Sequence, residues 1–379
     1  MSQDAAKRHN PNMIAVLVFF MFKFFYYFCL LLKTINPMKS LAKYFIAISV
    51  GVLTLASCSG SSNSSIPANK KEVMDRFVAG TLDPSYAPAA FFIHFGRGKT
   101  VGEAAVQAQL EYLVASDMDI LKVQFEQFVP RVRGLDTDEG WESFEPIPVD
   151  FYRPTLEIIT RLQQVAGRSV YVLPTIYNTY QVAQQGLTFR GIVEGASNHP
   201  QQLKKMLDSY SDALVWLIKE CKAIGVEGFY LPTQGGETKF YDIPGFFDNF
   251  IKPYDLKVMG EANNGTKMNI LHICDWEGTY DDLAKFADYP GQIVNTPMVV
   301  DGQPFTLEDG VKLFKRPVLG GFNRQTEILS APESQIAAMV KDILATAPKG
   351  KVMIGADCTV SEAPIGNIQT AVYTAHHNY

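Results

Sequence analysis

Short apolar stretches and longer amphipathic ones alternate along most of the chain. The stretches Ala89–His94, Ile120–Phe125, Ser169–Pro174, Gly228–Leu231, Met268–His272, Gln292–Asn295, Pro317–Gly320 and Val352–Gly355 are short, apolar and rich in β-formers, and each predicts a strand. Longer segments with helical periodicity lie between them. Over Gln201–Lys222 the residues Leu203, Met206, Leu207, Tyr210, Leu214, Leu217 and Ile218 fall on one stripe. Pro200 before this segment and Gly225 after it are helix start and stop signals. A second helix is predicted to begin at Ser330-Ala331-Pro332-Glu333, a capping-box spacing, with Ile336, Met339, Val340, Ile343 and Leu344 as its stripe. Runs such as Val170-Tyr171-Val172-Leu173 are continuously apolar, as expected of strands covered on both faces. Eight β-then-α units without a Gly-rich nucleotide loop predict an α/β fold, a single-domain (β/α)8 TIM barrel, in preference to an open doubly wound sheet.

The first residues follow other patterns. Met13–Leu32 is a run of apolar residues interrupted only by Lys23, long enough to span a bilayer. After Pro37 a new start is expected at Met38. Lys39 and Lys43 make a positive region, Tyr44–Leu55 is apolar, and Leu55-Ala56-Ser57-Cys58 precedes a Ser/Gly/Asn stretch. This order resembles a bacterial lipoprotein signal peptide with its lipobox. The resemblance implies residues 38–57 as signal peptide, lipidation at Cys58, 58–70 as a flexible tether, and a folded part over 71–379. Residues 1–37 would be an upstream extension or an extra hydrophobic segment. The protein would be exported and tied to the cell envelope by lipid, so a membrane is one expected partner. The competing reading is a signal anchor whose Leu-Ala-Ser-Cys is accidental.

Composition narrows the function. Hydrophobic residues make up 47% and charged residues 19% of the sequence, as in an ordinary globular protein. A net charge of −5 argues against a basic nucleic-acid binder, and five cysteines in 379 residues do not make a disulfide scaffold.

In a barrel of this kind the active site lies at the C-terminal ends of the strands. The residues just past the predicted strands include His94 and Arg97, Gln124 and Glu126, Tyr177, Gln234, His272 and Cys274, Asn323 and Asp357 with Cys358. His272 and Cys274 are two apart on a strand and so point to one side. With Cys358 they form a three-donor N/S set with one position left open, the pattern of a catalytic zinc site. Two other readings stand beside it: a disulfide between Cys274 and Cys358 in an oxidising compartment, and buried core thiols, as expected for Cys221.

From about Val73 to the C-terminus the chain resembles the uroporphyrinogen decarboxylase superfamily. The resemblance is carried chiefly by Leu271-His272-Ile273-Cys274 and by Glu362-Ala363-Pro364-Ile365-Gly366-Asn367-Ile368. It implies a (β/α)8 barrel and either of two chemistries. The branch of zinc-dependent corrinoid:coenzyme M methyltransferases holds zinc through a His-x-Cys and a later Cys, which match His272, Cys274 and Cys358. There a zinc-bound thiolate takes a methyl group from a corrinoid. The decarboxylase branch uses no metal and binds acid side chains through an arginine loop, of which only Arg97 remains here. Glu126 stands at that branch's Asp position. Asp357 stands at its His position, placing a carboxylate where it would repel a substrate carboxylate.

The expected function is therefore zinc-dependent, methyltransferase-like activation of a thiol. Glu126 is the candidate catalytic residue, His272, Cys274 and Cys358 the metal ligands, and His94, Arg97, Gln124, Tyr177, Gln234, Asn323 and Asp357 the substrate-binding residues. Metal-free decarboxylation of a tetrapyrrole and non-catalytic binding of a tetrapyrrole or corrinoid are the alternatives. The expected ligand is a small thiol or a tetrapyrrole/corrinoid, without nucleic acid. The superfamily's decarboxylases are often dimers, which makes a homodimer a further expectation.

Overall fold

A computed structural model describes residues 69–377 except Phe125, all within one compact unit. The expectations for residues 1–68, namely the extension, the signal peptide, Cys58 and most of the tether, lie outside the described residues. The first described element starts at Lys70, the last residue of the span expected as tether. Asn69 caps the helix Lys70–Ala79 by accepting a hydrogen bond from the Lys71 N–H at 2.9 Å.

The strands are β1 (Ile120–Val123), β2 (Tyr171–Pro174), β3 (Tyr230–Thr233), β4 (Ile270–Ile273), β5 (Ile293–Asn295), β6 (Val299–Val300), β7 (Gln303–Pro304), β8 (Val318–Phe322) and β9 (Val352–Ala356). β1 and β2 pair in parallel, and β3-β4-β5-β8-β9 form a five-stranded parallel sheet. The α/β class with parallel strands agrees with the sequence reading. A ladder of eight strands closed into a ring is not what the hydrogen bonding gives. Single parallel bridges join the two sheets at Thr175–Tyr230 and join the expected first strand to the last at Ala89–Ile354 and Ile93–Val360.

That first segment fails to form a strand for a local reason. The Asp119 carboxylate accepts from the Ala89 N–H at 2.7 Å, from the Tyr86 hydroxyl at 2.6 Å and from His376 Nε2 at 2.8 Å. A side chain thus takes a place that a neighbouring strand's carbonyl would fill. The β6–β7 hairpin was not expected, although Asp301-Gly302 at its tip, both at positive φ, is a standard hairpin signal.

Successive residues of β1 to β5 enter different cores, which explains their continuous apolar runs. Leu121, Val172, Leu231, Leu271 and Val294 pack among the helices. Ile120, Tyr171, Tyr230, Ile270, Ile293, Leu319 and Ile354 pack in a second cluster. The helix Pro200–Ala223 buries the whole predicted stripe and, as expected, Cys221. It stops where predicted: Gly225, at φ 89°, donates to the Lys222 carbonyl while the Val226 N–H reaches back to Cys221. The helix Glu333–Thr346 also lies near its expected place, but the capping box is absent. Pro332 holds the cap position and has no side-chain donor or acceptor to offer. No helix of the described residues is long and apolar enough to cross a membrane.

Candidate metal centre and cavity

The strand faces that carry Ile120, Tyr230, Ile270 and Ile293 change character towards their C-terminal ends. Two and four residues on, the same faces present Lys122 and Gln124, Gln234, His272 and Cys274, and Asn295. A cavity of about 470 Å³ opens there. His272, Cys274 and Cys358 meet at its wall, with their donor atoms all within 4.8 Å of one another. His272 Nε2 lies 3.3 Å from Cys358 Sγ, and the two sulfurs are 3.9 Å apart. All three residues are buried and both cysteines are free thiols, so no disulfide joins them.

The electrostatics split the two thiols. The Cys274 thiol donates to Cys358, which drives the Cys358 pKa well below the usual thiol range, and the hydrogen bond with His272 and the Arg324 guanidinium act in the same direction. That same hydrogen bond, followed by burial, pushes Cys274 well above it. Gln234 Nε2 donates to Cys274 Sγ at 3.4 Å. Gln234 is itself held through its carbonyl by Asn178 at 2.8 Å. Asn178 also donates to Asp255, which accepts from Thr233 and Tyr289 as well. Burial raises the Asp255 carboxyl to about 7 despite those three donors.

The donor set fits zinc. A tetrahedral site with bonds of ~2.0–2.3 Å to nitrogen and sulfur spaces its donors ~3.5–4 Å apart, close to the separations found here. Three protein donors also leave one position for a ligand, as catalytic zinc sites do.

The other expected site residues divide into two groups. Tyr177, Gln234 and His94 line the cavity. Gln124 is buried beside it: Lys122 Nζ donates to its Oε1 at 3.1 Å, which orients its NH2 group towards His94 Nδ1 at 2.9 Å. Glu126 is 3.3 Å from the same His94 nitrogen and is not one of the grouped metal donors. Three others are not part of the cavity wall. Arg97 is exposed and off the cavity wall, carried outward by a turn closed between Gly96 and Lys99. Asn323 caps its own loop, accepting from the Gln325 N–H. Asp357 is buried but not free to repel a substrate, because it accepts from the Arg324 backbone N–H and from Nη1, each at 2.7 Å.

Two residues of the site are absent from the candidates above: Arg324, which the sequence places beside Asn323 at a strand end without marking it as a site residue, and Lys122. Lys122 is buried in the cavity wall, with Nζ 5.4 Å from the Phe92 ring centre, 5.1 Å from that of Tyr230 and 3.4 Å from Thr359 Oγ1. Burial lowers its pKa to about 8, against the pull of Cys358, Glu126 and Cys274. A lone lysine at the third position of the apolar stretch Ile120-Leu121-Lys122-Val123 was the available signal.

No protein-family model matches the chain, and none of the curated proteins does. Its fold is found in solved structures. A methyltransferase from Methanosarcina mazei superposes with a TM-score of 0.64 at 14% identity, covering 81% of this chain and 98% of that one. A B12-independent methionine synthase from Shewanella sp. W3-18-1, in complex with selenomethionine, gives 0.50 at 11% identity, covering 77% and 97%. At such identities the likeness establishes a shared α/β fold.

Proposed function

We propose that the chain is a methyltransferase-like enzyme of the uroporphyrinogen decarboxylase superfamily, with zinc held by His272, Cys274 and Cys358 and a thiol as methyl acceptor. The observation that carries this reading is the meeting of those three donors at the wall of a cavity, in a fold shared with a methyltransferase. When bound, zinc lowers the pKa of a thiol so that it is nucleophilic near neutral pH.

The chain's own residues prepare the place. Gln234 holds the Cys274 sulfur in position, and the charge of Arg324 favours the Cys358 thiolate that a metal needs. Tyr177 offers a phenol kept protonated by burial, and Lys122 offers an amino group in the same wall. Gln124 positions His94, a half-exposed imidazole at the rim. Closure of the parallel elements into a full (β/α)8 barrel, export with a lipid anchor at Cys58, and a corrinoid as methyl donor belong to the same proposal.

The test is methyl transfer from methylcobalamin to a panel of small thiols. Zinc-loaded protein is expected to form the thioether, and removal of the metal by a chelator or a Cys274→Ser change should lower the rate by at least about a hundredfold. Turnover that a chelator leaves intact would contradict the proposal. Binding of a corrinoid or tetrapyrrole without product would favour a binding protein instead.

A further inference from the structure

Cys274 and Cys358 come from strands that do not touch. In the sheet order β3-β4-β5-β8-β9, two strands separate the one that leads to Cys274 from the one that leads to Cys358. No backbone ladder therefore sets the 3.9 Å between the sulfurs. A link exists one residue away from each thiol. Asp275 follows Cys274, and Asp357 precedes Cys358. Arg324 Nη1 donates to Asp275 Oδ1 at 2.8 Å and to Asp357 Oδ2 at 2.7 Å, while the Arg324 backbone N–H donates to the other Asp357 oxygen. The guanidinium lies 5.6 Å from the Trp276 ring centre, so the loop after β4 also covers it from one side. Asn295 supplies a second strut, donating to the carbonyls of Leu319 and Ala356, but it does not reach the Cys274 loop.

We propose that Arg324 is the positioning residue that sets the spacing of the two thiol ligands by clamping the aspartates beside them. The inference rests on the zinc reading above. It also predicts a sign that simple electrostatics would not. Arg324 brings a positive charge close to a cation site, so charge alone would make its removal tighten metal binding. If its work is geometric, removal must weaken binding, because two carboxylates left facing each other push the loops apart.

The test is zinc affinity by chelator competition, with Co2+ substituted as a reporter of thiolate coordination. Wild type, Arg324→Met, Arg324→Lys and Asp275→Asn would be compared. Arg324→Met should bind zinc at least about tenfold more weakly and lose part of the thiolate-to-cobalt charge-transfer band. Arg324→Lys keeps the charge, but on a flexible stem without the planar group that lies against Trp276, and should recover only part of the affinity. Asp275→Asn cuts one arm at a partly exposed carboxylate and should weaken zinc in the same direction by less. It keeps the inference testable if Arg324→Met does not fold. Unchanged or tighter zinc binding in the folded variants would overturn the inference while leaving the zinc reading intact. A wild-type protein that binds no zinc would overturn both.

Discussion

An ammonium group inside a protein wall costs free energy, and Lys122 carries that cost openly. Its pKa falls from the ordinary 10.5 to about 8 through burial. The unfolded chain therefore binds more protons than the folded one between those two values. The penalty is fully present below about pH 8 and is relieved as pH rises towards 10.5, so stability should increase across that window. Lys122→Met should be more stable than wild type at pH 7, by at most about 3 kcal/mol, and should lack that gain. Thermal melts of both proteins at pH 7 and 9.5 check this; parallel pH dependences would contradict it. A residue retained at such a cost is expected to serve the cavity, so the same substitution should lower turnover. The candidate metal donors were legible because His272 and Cys274 lie two apart at the end of an apolar stretch and so point to one side, although the spacing alone also allowed a disulfide or core thiols. Arg324 and Lys122 were not, since a charged residue near a strand end is ordinarily a solvated one. Only the fold shows that two carboxylates surround the first and two aromatic rings the second.

At the level of elements, the place where the first segment meets the last strand is tightly drawn. Ala90 N–H bonds the Ile354 carbonyl, Ile354 N–H bonds that of Pro88, and Val360 N–H bonds that of Phe92. Gly355 sits in this seam, and a Cβ there would lie 2.5 Å from the Ala90 oxygen and 2.6 Å from Leu319 Cδ1. Gly355→Ala should cost about 1–3 kcal/mol and speed amide exchange at Ala90 and Val360. Unchanged stability and exchange would mean that this seam contributes little. The strand positions were readable from apolar runs because both faces of each strand are covered. The first was misjudged because its apolar residues pack as expected while Asp119 and single bridges replace a ladder. The hairpin at Asp301-Gly302 carried its signal in the sequence and was missed between two strong parallel strands.

For the whole molecule, the account depends on one event: a metal ion binding where β4 and β9 end. The fold was largely legible, because alternation of short apolar and long amphipathic segments admits few architectures. The site was legible in its donors and less so in its support, since the partners of Asp357 and Gln124 are set by loops distant in sequence. The most direct measurement is zinc content by elemental analysis. Residues 59–379 would be purified under reducing conditions and compared with their Cys358→Ser variant. The account predicts about one zinc per chain in the first and a large loss in the second. Absence of zinc after reconstitution, or an undiminished content in the variant, would contradict it.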